Sequence, residues 1–91
     1  MPPAIKPLHP RLQRFLVRHD LIEKFEKQAR LFLSNPRHPS LRTELMEPKH
    51  LKIYSFRVDR KYRAIFIYLA DHSIEIIDIN RHYNDWTYYN V

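Results

Sequence analysis

Apolar residues recur at helical spacing through the first third of the chain and at strand density through the last. A proline-rich break separates the two patterns. Leu12, Phe15, Leu16 and His19 fall at i, i+3, i+4 and i+7, which is one face of a helix. Pro10 suits the first helical position, where its missing N–H costs nothing. Asp20 is expected to cap a second helix. There Leu21, Ile22, Phe25, Ala29, Phe32 and Leu33 make a continuous stripe. The opposite side carries Glu23, Lys24, Glu26, Lys27 and Arg30. Glu23–Lys27 and Glu26–Arg30 are i,i+4 pairs of favourable polarity, so this side is expected to be solvated. The two helices follow so closely that they predict an αα-hairpin. Upstream, Ala4 to Leu8 is expected as a short strand, held to a sheet edge by Pro7.

Pro36 and Pro39 end the second helix. Leu41 to Leu45 is a short strand or an extended segment, and Pro48-Lys49-His50 a loop. Three strands follow, rich in Val, Ile, Tyr and Phe: about residues 52–58, 62–69 and 73–79. Connections this short require antiparallel neighbours. Ile74, Ile76, Ile77 and Ile79 load both faces of the last strand, which predicts an interior place in the sheet. The aromatic tail from Asn84 to Val91 adds a turn or covers an edge. The fold class is therefore α+β, an N-terminal helical hairpin packed on a small antiparallel β-sheet. The whole chain, residues 1–91, is expected to be one domain, with the second sheet face free to bind something.

The hairpin around Asp59-Arg60-Lys61 has two possible registers. With a three-residue loop, Val58 pairs with Tyr62 and Arg57 faces Arg63. Tyr54, Phe56, Val58, Tyr62, Ala64 and Phe66 then share the core face. With a two-residue loop, Val58 pairs with Arg63 and the arginines part. The first register is preferred because it keeps both arginines out of the core. It also sets like charges opposite each other, which is unfavourable unless an anion lies between them.

Composition narrows the chemistry. The formal net charge is +6, which favours a polyanionic or acidic partner. The basic charge is local: Lys49, Lys52, Arg57, Arg60, Lys61 and Arg63 lie in a stretch whose only acid is Asp59. There is no glycine, where roughly six would be usual. Gly-rich phosphate loops are thereby excluded, and turns must use Asp, Asn, His and Pro. There is no cysteine, so disulfides and thiolate zinc sites are excluded, in keeping with a cytoplasmic protein. Histidines lack i,i+4 spacing, so no metal site is expected. The longest apolar run, Ala64 to Ala70, is far short of the ~20 residues of a membrane span. Met-Pro-Pro-Ala-Ile-Lys holds no apolar stretch, so no secretory signal is expected.

Two guanidiniums on paired strands, with His82 and Tyr83 at the end of another strand, are a kit for breaking a phosphodiester without metal. His82 suits proton transfer near neutrality. Arg63 and Arg57 would hold the phosphate. Tyr83 would stack on a base or donate to the leaving oxygen. Asp78 shares strand parity with Asn80 and His82, and would orient His82 or pair elsewhere. His38 and His50 lie in loops, where binding residues concentrate. His9 and His19 are expected as capping or surface groups, and Trp86, Tyr88 and Tyr89 as terminal aromatic packing.

NPRHPSL after a helical hairpin, then YSFRVDRKYRAIF, then an Ile-rich strand ending in NRHY, resembles the RelE/ParE superfamily of type II toxin–antitoxin operons. The resemblance spans roughly Pro7 to Tyr83. It is nearest to YoeB-like and YafQ-like mRNA interferases, which cut messenger RNA, usually on the ribosome, by metal-free attack of a ribose 2′-hydroxyl on the adjacent phosphate. It implies catalytic roles for His82, Arg63, Arg57 and Tyr83. RNA binding would fall to Lys49, Lys52, Arg60, Lys61, His38 and His50. No cofactor is implied. The partners would be messenger RNA, the ribosome and an acidic antitoxin, with no membrane. YoeB-like toxins also carry a glutamate base, for which His38, Glu44, Glu47 and His50 are candidates by position. YoeB-like chains end just after the His-Tyr pair, whereas this one continues through Trp86, Tyr88 and Tyr89. ParE-like members instead inhibit DNA gyrase without catalysis, and an inactive RNA-binding toxin homologue is a further alternative.

Overall fold

A computed structural model describes residues 4–81. Helix α1 (Pro10–Arg18) begins with proline in its first turn, and His9 Nδ1 accepts the Arg11 N–H at 3.1 Å. The expected capping role of His9 is therefore present. Helix α2 (Ile22–Ser34) starts differently from expectation. Leu21 is its N-cap residue and no side chain caps it. Asp20 instead adopts φ 55°. The chain must reverse between the helices without glycine, and aspartate is among the few residues that tolerate the left-handed region. The buried positions of this stripe are Leu21, Phe25, Gln28 and Phe32. Ile22 and Leu33 lie at its exposed margin.

Strands β1 (Glu44–Leu45), β2 (Tyr54–Arg57), β3 (Tyr62–Tyr68) and β4 (Ile74–Arg81) form one antiparallel sheet in sequential order. Single 3₁₀ turns, Pro39–Leu41 and Lys49–Leu51, flank β1. Arg57 pairs with Arg63, and the Val58 N–H donates to the Tyr62 carbonyl at 2.9 Å. The three-residue loop is thus the observed register. Phe56, Val58, Ala64 and Phe66 point into the core with Leu12, Leu16, Phe25 and Phe32. Phe32 stacks on Phe56 at 5.6 Å and meets Phe66 edge-on at 5.4 Å. That aromatic cluster seats α2 on the sheet.

Strand β4 is the last in the sheet order, not interior. A β-bulge explains its isoleucines. Ile65 pairs with Asp78 but Phe66 with Ile76, so Ile77 is an extra residue. The parity shift brings Ile74, Ile76 and Ile79 onto one buried face. Beyond β4, among the described residues, there is only a parallel bridge between Ile5 and Ile74. The expected first strand is reduced to that contact, and Pro7, lacking an N–H, cannot extend it.

The second sheet face is not simply open. Ser55, Arg63 and Ile65 at its centre are each 1% exposed or less. The glycine-free chain also places Arg42, Lys52 and His72 at positive φ. Asp20 and His72 fit the expectation that turns use Asp, Asn, His and Pro; Arg42 and Lys52 depart from it.

Candidate functional site

Arg63 sits in mid-sheet and is almost wholly buried. Its Nε donates to Ser55 Oγ at 2.8 Å, and its Nη2 donates to the Ser55 carbonyl at 3.2 Å and to the Arg42 carbonyl. As the register predicts, both arginines stay off the apolar core face, but Arg63 is nonetheless buried on the other face of the sheet. A guanidinium can be buried where fixed acceptors replace water, and neutral oxygens supply several of them. Arg57, its register partner, is half-buried, with Nε donating to the Asp59 carbonyl at 3.3 Å. One guanidinium therefore reaches across β2 toward Arg42, and the other turns toward the hairpin loop. Their divergence is how the sheet tolerates like charges at one register position.

The pairing sets Arg57, Arg63 and Asn80 in one row on the face away from the helices. Glu44, Ser55, Ile65 and Asp78 form the next row. Glu44 is exposed there. Asp78 Oδ1 accepts the Ile79 N–H at 2.9 Å, and its Oδ2 accepts from Asn80 Nδ2 at 3.2 Å. Arg11 Nη1 lies 3.7 Å from Asp78, while Arg11 Nη2 donates to the Ile77 carbonyl. Asp78 thus has structural partners on α1 and on its own strand. His82 and Tyr83 follow Arg81 directly in sequence, and with Trp86, Tyr88 and Tyr89 they lie outside the described residues.

The basic run does not form one surface. Lys49, His50 and Lys52 are exposed at the β1–β2 end of the sheet. Arg60 and Lys61 are exposed in the β2–β3 loop at the other end. At about 3.3 Å per extended residue, the two groups stand on the order of 20 Å apart. His38 is in a third place: its Nδ1 accepts the Ser40 N–H at 3.1 Å and caps a 3₁₀ turn. It borders a depression of about 450 Å³ with Arg37, Arg42, Tyr54 and Tyr68.

A larger cleft, of about 730 Å³, separates the start of α2 from the β2–β3 loop. Lys24 and Lys27 border it from α2, and Arg57, Arg60, Lys61 and Arg81 border it from the sheet and its β2–β3 loop. Among the described residues, its acids are Asp20 and Asp59. Asp59 is already engaged: Oδ1 accepts the Lys61 and Tyr62 N–H groups at 2.8 Å each, and Lys24 Nζ lies 3.5 Å from Oδ2. Burial pushes its carboxyl up, but those amides and the Lys24 ammonium outweigh burial and hold it below the ordinary value. Gln28, also in the wall, donates from Nε2 to the Arg57 carbonyl at 2.7 Å and the Ser40 carbonyl at 3.3 Å. Lys24 and Lys27 are exposed, as expected of a solvated helix face, but the helix pattern does not foresee the cleft they border. The available signal was Gln28, a polar residue at a core position three and four residues from its stripe neighbours. No group of three His, Cys, Asp or Glu side chains among the described residues is arranged to hold a metal. No described helix is long and apolar enough to cross a membrane.

No protein-family model matches the sequence, and no curated protein does. Among solved structures, a YoeB/ParE toxin from Agrobacterium tumefaciens superposes with a TM-score of 0.65 at 19% identity. The match covers 91% of this chain and all of the other. The chain has the YoeB/ParE toxin fold. The expected architecture of two helices and an antiparallel sheet is thereby established, and at this identity it is the fold that the two proteins share. The YoeB/ParE fold here brings Arg57 and Arg63 to facing strand positions and leaves the long basic cleft beside them.

Proposed function

We propose that this chain is the toxin of a type II toxin–antitoxin system and acts as a metal-independent endoribonuclease on messenger RNA at the ribosome. The carrying observation is a YoeB/ParE toxin fold in which Arg57 stands opposite Arg63, beside the strand that leads to His82. In this reading Arg57 takes the scissile phosphate. Only its Nε is engaged by a described partner, so its Nη groups remain for phosphate oxygens. Arg63 holds β2, β3 and the Arg42 carbonyl in place beneath it and adds positive potential. His82 takes the proton from the ribose 2′-hydroxyl or returns one to the departing 5′-oxygen. The 2′-oxygen bonds to phosphorus as the P–O5′ bond breaks, leaving a 2′,3′-cyclic phosphate and a 5′-hydroxyl. Tyr83 positions a base. Arg60 and Lys61 lie next to Arg57 and are the nearest RNA contacts. Lys49, Lys52, His50 and His38 are outlying ones. An acidic antitoxin in the cytoplasm would cover the basic surface.

A second reading, a gyrase inhibitor without catalysis, is favoured by one observation: the Arg63 guanidinium is bonded to Ser55 and Arg42, as a structural arginine is. Induced expression of the wild type, His82→Ala and Arg57→Ala, with primer extension on a reporter message, separates the readings. Growth arrest with cuts within codons in the wild type only supports the nuclease. Arrest in all three with intact message supports gyrase inhibition. Normal growth in all three supports an inactive RNA-binding homologue.

A further inference from the structure

Three rings gather at the mouth of the basic cleft. Phe15 and His19 lie 4.2 Å apart between ring centroids, and Tyr62 is 5.7 Å from Phe15 and 5.5 Å from His19. The Tyr62 hydroxyl is 3.3 Å from His19 Nδ1, which fixes the two rings relative to each other. His19 is exposed, and Phe15 and Tyr62 are half-exposed. A depression of about 220 Å³, lined by these rings with Ile79, Asn80 and Arg81, adjoins the 730 Å³ cleft. The two share His19, Tyr62 and Arg81. The smaller hollow admits a flat ring but not a helix, whose width is about 10 Å.

We infer that this ledge and the cleft form a subsite for single-stranded RNA, with a base stacked on His19 and Tyr62 and the neighbouring phosphates between Lys24, Lys27, Arg60 and Lys61. The inference extends the RNA reading above to residues outside its catalytic set. Charge argues for the occupant. Among the described residues, Lys24, Lys27, Arg60 and Lys61 border the cleft with two acids, Asp20 and Asp59, and Asp59 is already paired with Lys24. An acidic peptide would satisfy the cations equally well, but it has no use for aromatic faces. Nucleobases do: stacking on exposed rings beside a positive groove is how proteins hold single strands without reading their sequence.

The test is binding of a fluorescent 2′-O-methyl decauridylate. It lacks the 2′-hydroxyl nucleophile, so binding is measured apart from cutting. The wild type is expected to bind it in a strongly salt-dependent way. His19→Ala, an exposed substitution, should weaken binding about tenfold. Tyr62→Leu, which keeps apolar volume, should do the same. Lys24→Ala with Lys27→Ala should lower the slope of log K against log salt by roughly 1.4, at ~0.7 per phosphate. Circular dichroism confirms that each variant is folded. The inference is overturned if these variants bind like the wild type, or if deca-glutamate displaces the RNA at equal concentration and binds His19→Ala unchanged. If the primer-extension experiment shows no cleavage while cleft-dependent binding holds, the nuclease reading fails and the subsite stands.

Discussion

Arg57 and Arg63 occupy one register position on neighbouring strands, yet they live in different environments. Arg63 is buried and tied to Ser55 and to the Arg42 carbonyl, so its charge fastens three segments together. Arg57 is half-exposed, bonded once to its own loop, and borders a cleft with Lys24, Lys27 and Arg60. The same side chain is a structural fastener at one site and an available cation at the other. Partners and solvent, and not residue type, decide which. A basic stretch in a sequence therefore overstates the binding surface it will make.

The largest expected effect breaks the comparison in terms of stability. Arg63→Ala leaves the Ser55 hydroxyl and the Arg42 carbonyl without their donor in a buried place. It should cost about 3 kcal/mol. Arg57→Ala removes one loop contact at a half-exposed position and should cost less than about 1 kcal/mol. Urea unfolding at matched m-values measures both. Equal losses, or a larger one at Arg57, would show that the two arginines do not differ as described. Arg63→Lys should fall between, because an ammonium keeps the charge but loses the planar fork.

The contrast between the arginines also marks where sequence reasoning stopped. The helix faces, the His9 cap, the prolines and the three-residue hairpin loop were legible because each depends on residues close in sequence. The burial of Arg63 was not. Its acceptors include a backbone carbonyl 21 positions away, presented by a residue at φ 44°. The β4 bulge was hidden because isoleucine at consecutive positions fits either face until the partner strand is known. The cleft was missed since it exists only where α2 and the hairpin meet. Of the expected catalytic set, Arg57 and Arg63 are brought together, while His82 and Tyr83 lie outside the described residues.

Acid titration sharpens the comparison from the cleft side. Asp59 ties the loop beside Arg57 to the Lys61 and Tyr62 amides and to Lys24, and its pKa is lowered on folding. A lowered carboxyl stabilises the fold fully above its unfolded value, about 3.9. That contribution is lost as pH falls through the folded value. Asp71 titrates in the same sense, held at about 2 by the Ser73 hydroxyl and amide in the β3–β4 turn. Comparing the wild type with Asp59→Ala cancels Asp71. The variant should be less stable by roughly 1–2 kcal/mol at pH 7. The gap should narrow below about pH 4. A gap that stays constant to pH 2 would mean that the loop is not held by the ionised carboxylate.

The smallest effect lies on the Arg63 side, in the backbone that receives it. Arg42 stands at φ 44°, and its carbonyl, not its side chain, accepts from Arg63. A non-glycine residue in the left-handed region carries a penalty of about 1–2 kcal/mol. Glycine removes that penalty but gives the unfolded chain more freedom, which offsets about 0.5–1 kcal/mol. Arg42→Gly should therefore raise stability by roughly 0.5 kcal/mol. Arg42→Ala, which keeps a Cβ, should change it little. Thermal unfolding of the two variants side by side resolves this difference, since the side chain is lost in both and only the backbone freedom differs. Stabilisation by alanine as large as by glycine would trace the effect to the lost Arg42 charge. The Arg63 acceptor would then sit in a backbone conformation without strain.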